Sequence, residues 1–147
     1  MATFLGGFGA AFTALASRKR KSPEPAWADL ILLAIATHKI SRIATKDRVT
    51  SSFRAPFARL TGDSGSGEVE ETARGEGLQR AIGELLTCPF CVAPWIASTL
   101  VLLYETSPPL ARMIATVFSV VSGSDFLNRV YYGAKQIGEP EKTDRRT

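Results

Sequence analysis

The chain has 147 residues, enough for one domain, with a formal net charge of +4 and two cysteines. No run of bases is interleaved with aromatics, which argues against nucleic acid as a partner. Two closely spaced cysteines are too few for a secreted disulfide scaffold. The mean hydropathy of +0.04 is low for a chain embedded wholly in lipid. That average conceals apolar segments near 26–36, 85–104 and 110–124, with charge gathered between and after them. The pattern fits a few membrane spans and a sizeable wet portion, and bases beside apolar segments point to anionic lipid.

Residues 1–24 read as a flexible or interfacial leader. Met1 to Ser17 is uncharged and partly apolar, and Gly6, Gly7 and Gly9 make it a poor spanning helix. Arg18, Lys19, Arg20 and Lys21 follow the apolar part, whereas a cleavable signal carries its charges first. Pro23 and Pro25 form a stiff break, after which Pro25 and Trp27 can open a helix with the indole at a membrane surface.

The first predicted span covers 27–44, just long enough to cross with help from snorkelling side chains. At about 100° per residue, His38, Lys39, Arg42 and Lys46 fall on one arc, opposite Leu33, Ala36, Ile40, Ile43 and Ala44. Val49, Phe53, Phe57 and Leu60 then recur at helical spacing beside Arg48, Arg54 and Arg59, the pattern either of a short interfacial helix on an anionic leaflet, with Pro56 limiting its regularity, or of a plain loop with two packed phenylalanines. Residues 61–77 are rich in Gly, Ser and Glu, so the expectation is a disordered, solvated loop. Leu78, Ala81, Ile82, Leu85 and Leu86 form one helical stripe.

Leu85 to Tyr104 contains 20 residues without a charge, the strongest transmembrane signal in the chain, and the second span is expected over 88–105. Pro89 and Pro94 mark its start or kink it. Glu105 to Pro109 is a tight turn, and the third span follows over 110–132, with Arg112 near its start and Asp125 and Arg129 near its end. Residues 134–147 read as a charged, disordered tail. The expected fold is therefore all-α and integral to the membrane: a helical membrane domain over 25–133 with about three transmembrane helices, a short interfacial helix and a disordered loop. The central loop and C-terminus collect most of the bases, which makes their side cytoplasmic by the positive-inside rule. The Arg18 to Lys21 cluster opposes that orientation.

Three spans bring the end of the first helix, the start of the second and the end of the third to one face. Ionisable groups at membrane depth find partners, so Lys39, Arg42, Asp125 and Arg129 are expected to form a structural polar cluster, with Asp125 paired to Arg42 or Lys39, or to Arg129 at i+4. Cys88 and Cys91 form a CxxC pair, able to bind a metal such as zinc or to act as a redox dithiol. A structural zinc site needs four ligands, and His38 and Asp125 are the available completions. The plainer reading makes both cysteines packing residues one helical turn apart. No nucleophile with an orienting base and no phosphate-binding glycine loop is present, so no catalytic residues and no cofactor are assigned.

The strings Trp27-Ala-Asp-Leu30, His38-Lys-Ile-Ser-Arg-Ile-Ala-Thr-Lys-Asp-Arg-Val-Thr50, Arg54-Ala-Pro-Phe57, Gly83-Glu-Leu-Leu-Thr-Cys-Pro-Phe-Cys91 with Trp95, and Ser124-Asp-Phe126 together resemble the bacterial membrane proteins grouped as domain of unknown function 1360. The resemblance covers roughly Pro25 to Tyr132. It implies an α-helical, multi-pass protein of a bacterial cell membrane and no established activity. The functional expectation is a non-enzymatic membrane protein whose partners are the lipid bilayer and either a second copy or another membrane protein. The small residues Ala93, Ala97 and Ser98 on the second span suit close helix packing. The alternative is a metal- or redox-active protein using Cys88 and Cys91.

Overall fold

The computed structural model describes residues 25–138, together with Gly6, Gly7, Gly9, Ala10 and Thr13 of the leader, which are helical. The remainder of the leader and residues 139–147 of the expected tail lie outside the described residues. Three long helices dominate: α1 (Trp27–Lys46), α4 (Pro89–Thr106) and α5 (Pro108–Gly138). Between α1 and α4 come a 3₁₀ turn (Arg48–Thr50), α2 (Ser51–Arg54), strands β1 (Ala58–Gly65) and β2 (Glu68–Ala73), and α3 (Gly77–Thr87).

The three long helices pack around Leu33 and Ala36 of α1, Leu100 and Tyr104 of α4, and Ala111 and Ala115 of α5. Ala36, Ala111 and Ala115 are almost completely buried. Methyl side chains at these positions let α1 and α5 approach closely. Ser119 Oγ on α5 donates to the Leu32 carbonyl on α1 at 3.1 Å. On α1, the hydroxyls of Thr37, Ser41 and Thr45 each donate to the carbonyl four residues earlier. That ladder lets Ser41 and Thr45 be buried without an orphaned polar group.

Pro89 occupies the first turn of α4, where a missing N–H costs nothing, while Pro94 lies inside the helix. Of the long helices, α4 and α5 (Pro89–Thr106 and Pro108–Gln136) are long and apolar enough to cross a membrane, and few of their residues are buried within the protein. The charges of α1 keep it below that threshold. Helix α5 continues to Gly138, so the first residues of the expected tail, 134–138, are helical.

The larger departure from expectation lies in the loop expected to be disordered. Residues 58–73 form an antiparallel hairpin, making the fold mostly helical with a small sheet. Gly65 pairs with Glu68 across Ser66 and Gly67. Both loop residues have positive φ (54° and 81°), the conformation of a two-residue type I′ hairpin turn, which Gly adopts freely. Val69 is 2% exposed and Ala58 4%, so the hairpin buries little apolar surface. Charge pairs to its neighbours supply the docking: Arg42 to Glu68, Arg54 to Glu71 and Arg48 to Asp63. Acids that composition assigns to solvation are therefore held by arginines. Helix α3 closes against the hairpin at Gly83, where an added Cβ would lie 2.3 Å from the Phe57 carbonyl oxygen and 2.9 Å from Ala73 Cβ.

Candidate functional site

Polar side chains gather at three places. The first ties the start of α1 to the turn between α4 and α5. Asp29 is buried and accepts from Arg112 Nε at 2.9 Å and Nη2 at 2.6 Å, a bidentate pair, and from the Tyr104 hydroxyl at 2.7 Å. The Arg112 guanidinium also stacks 5.8 Å from the centre of the Tyr104 ring. One carboxylate thus locks all three long helices at one end of the bundle.

The second place is the junction of the hairpin with α1 and α2. Arg54 and Glu71 are almost fully buried, each with a side chain 3% exposed. Arg54 Nε donates to Glu71 at 2.5 Å, Nη1 to the Ala44 carbonyl at 2.8 Å and to Thr50 Oγ1 at 2.5 Å, and Nη2 to the Asp47 carbonyl at 3.0 Å. Ser51 Oγ donates to the other Glu71 oxygen at 2.5 Å. The guanidinium consequently satisfies the carbonyls freed where α1 ends, and the carboxylate balances its charge.

The third place is a solvent-connected cavity of about 260 Å³ between α1, β2 and α5, at the end of the bundle away from Asp29. His38, Lys39 and Arg42 of α1, Glu68 of β2, and Ser122, Asp125, Phe126 and Arg129 of α5 line it. Lys39 forms an ion pair with Asp125. Arg42 Nε and Nη2 donate to the two Glu68 oxygens at 3.1 and 2.5 Å. Arg129 stops 4.0 Å from Glu68 and is 66% exposed. The Arg42 hydrogen bonds hold the Glu68 carboxyl below the ordinary glutamate range, against the opposing pull of partial burial, and the positive charges of Arg42, Arg129 and Lys39 add to the effect.

Lys39, Arg42, Asp125 and Arg129 all border this cavity, with Lys39 as the partner of Asp125 and Glu68 as the partner of Arg42. The four candidate metal ligands are not assembled. Cys88 caps α4, its Sγ accepting from the Cys91 amide at 3.3 Å, whereas His38 and Asp125 line the cavity. Asp125 pairs with Lys39 through Oδ2, and among the described residues no three His, Cys, Asp or Glu side chains converge as metal ligands would.

Sequence reasoning missed Glu68 and Glu71, whose surroundings read as a solvated loop, and it did not join Asp29 to Arg112. The available signal for that pair was a carboxylate and a guanidinium each set in an apolar helix start, where an unpaired charge is costly.

The family model for the protein of unknown function DUF1360 matches residues 32–131, which include the cavity and the hairpin. This chain belongs to the DUF1360 family. It is 26% identical over 94 residues to "Sporulation protein YjcA" of Bacillus subtilis (strain 168), an alignment covering 62% of this chain and 80% of that protein. No solved structure matches. All of the polar groups described above except Asp29 fall inside the matched DUF1360 region.

Proposed function

We propose that this DUF1360 protein is a multi-pass protein of the bacterial cell membrane that crosses the bilayer three times, and that it acts without catalysis by binding a partner protein or a second copy. The observation that carries the membrane reading is the belt of exposed apolar side chains around the long helices. Trp27, Leu30, Ile31 and Ile35 on α1, Trp95 and Val101 on α4, and Met113, Val117, Val120 and Val121 on α5 all face outward. Contiguous apolar exposure of this kind belongs to membrane or interaction surfaces. The three-span topology accounts for α1, whose charges meet partners: Asp29 on Arg112, Lys39 on Asp125 and Arg42 on Glu68. Groups within the bilayer need such pairing. Residues 46–80 together with the chain from Arg129 onward carry 11 of the 18 Lys and Arg residues, which assigns their side to the cytoplasm by the positive-inside rule.

Partner binding is favoured by the Met113, Val117, Val120 and Val121 stripe, which recurs at helical spacing on one face of α5. Labelling with a membrane-impermeant maleimide tests the topology. In a chain carrying Cys88→Ser and Cys91→Ser, single cysteines at Ala26→Cys and Ser107→Cys react in intact spheroplasts, and Ser64→Cys reacts only after permeabilisation. Labelling of Ala26→Cys together with Ser64→Cys would remove α1 from the membrane and leave two spans. In-membrane crosslinking through Val117→Cys tests association; a strictly monomeric protein that captures no neighbour refutes it.

A further inference from the structure

We infer that the cavity between α1, β2 and α5 binds a phosphate group, carried by an anionic phospholipid whose headgroup enters from the leaflet beside the hairpin. Lys39, Arg42 and Arg129 set three permanent cations against the two carboxylates of Asp125 and Glu68. Each carboxylate already faces a base. Asp125 pairs with Lys39 through Oδ2, and both oxygens of Glu68 accept from Arg42. Arg129, 4.0 Å from Glu68, is too far to hydrogen-bond it. Among the described residues neither Arg129 nor His38 has a hydrogen-bond partner for its side chain. The cavity therefore presents a guanidinium, an imidazole and the Ser122 hydroxyl to a space of about 260 Å³ that opens to solvent, where the ion pairs leave one carboxylate oxygen, Asp125 Oδ1, uncommitted for the three of them. A tetrahedral oxyanion supplies several acceptors at once, and a planar arginine fork suits it.

Position selects the lipid as the carrier. The cavity begins where the charge-free run of α5, Met113 to Ser124, ends. Beside it Phe126 is 67% and Leu127 68% exposed, so apolar surface for acyl chains adjoins polar groups for a headgroup. Basic pockets between helices at the cytoplasmic face hold anionic headgroups in this way. A free metal cation is disfavoured, because Lys39, Arg42 and Arg129 outnumber the two carboxylates of Asp125 and Glu68 and each carboxylate already pairs with a base. The choice of lipid as carrier rests on the membrane reading above; the phosphate chemistry does not.

The test uses the full chain in neutral maltoside detergent. A fluorescent short-chain phosphatidylglycerol is titrated against it, with the diacylglycerol of the same chains as the headgroup-free control and inorganic phosphate as a competitor. The expected result is saturable binding of one phosphatidylglycerol per chain, no comparable binding of the diacylglycerol, and about tenfold weaker binding in Arg129→Gln, the loss of one charge-assisted hydrogen bond. Arg129 is exposed and makes no hydrogen bond, so the variant keeps the wild-type circular dichroism. His38→Gln, which retains a donor, binds within about threefold of wild type. Equal binding of the two lipids, or equal affinity in wild type and Arg129→Gln, overturns the proposal. Inorganic phosphate that binds wild type but not Arg129→Gln, with no gain from phosphatidylglycerol, keeps the phosphate site and overturns the lipid. A chain that purifies without detergent refutes the membrane reading alone, and the inorganic phosphate titration still reads the cavity.

Discussion

Glu71→Ala isolates the contribution of charge to the hairpin. In the wild type, Arg54 is 2% exposed and Glu71 is its sole anionic partner among the described residues. Removing the carboxylate leaves a guanidinium buried without a counter-charge and frees Ser51 Oγ. Breaking a buried pair by deleting one partner costs about 3–5 kcal/mol. The Ala44 and Asp47 carbonyls and Thr50 Oγ1 still accept from Arg54, which places the cost near the lower end, at about 3 kcal/mol. That corresponds to on the order of a hundredfold in the opening equilibrium. Hydrogen exchange followed by mass spectrometry reads it directly: amides of 58–73 lose about a hundredfold in protection, while those in the middle of α5 keep theirs, because the hairpin opens as a local unit. Glu71→Gln, which keeps an acceptor and the side-chain volume, loosens the hairpin less. Exchange in 58–73 that changes by less than about threefold, or that rises equally in α5, would refute the assignment of hairpin stability to this pair.

Three further outcomes follow from the same geometry. Gly83→Ala drives a methyl into the Phe57 carbonyl, which belongs to the backbone and cannot rotate away; a cost of about 1–3 kcal/mol should appear as faster proteolysis of the 74–88 segment. Glu68 titrates below the ordinary glutamate range because of Arg42, so its ion pair stabilises docking above that range and loses this contribution as pH falls through the depressed value. The protection factor of the Arg48 amide, which donates to the Gly67 carbonyl, should therefore fall as pH drops through that depressed range, and Glu68→Gln should flatten that dependence. Asp29→Ala should lower the melting temperature of the detergent-solubilised protein more than Tyr104→Phe does, since only the former strands Arg112; equal shifts would deny the carboxylate its central place.

The long helices were legible because apolar runs of the right length determine them, and the order α1, α4, α5 follows from where those runs lie. The hairpin was not legible, for a physical reason. Val69 is the one fully apolar side chain within β2 that it buries, so it lacks the alternation by which a strand is recognised. Its docking instead uses ion pairs to residues 15 to 26 positions away in sequence, and composition cannot distinguish a paired acid from a solvated one. The Gly65-Ser66-Gly67 turn was the local clue, visible as turn chemistry but not as a strand. The cavity residues of α1 were legible because their arc is set by helical geometry. Glu68 was missed because its place there depends on the hairpin.

Under the proposed three-span topology, the two end clusters would also set how the bundle sits in a bilayer. Helix α5 has 31 residues, about 45 Å of helix, yet Arg112 and Asp125 are separated along it by only about 20 Å. That is thinner than a hydrocarbon core of about 30 Å. Asp29 and Lys39 on α1 are closer still, about 15 Å apart. In that topology the charges would lie inside the hydrocarbon with their partners already in place: Asp29 with Arg112 towards one boundary, Lys39 with Asp125 towards the other. Pairing lowers the cost of that depth, and local thinning or snorkelling meets the remainder. The pairs thus act as depth markers. Replacing Lys39 and Asp125 together with leucine should lengthen the apolar run and shift the protein towards thicker bilayers in reconstitution, and partitioning unchanged between short- and long-chain lipids would argue that these charges lie outside the core.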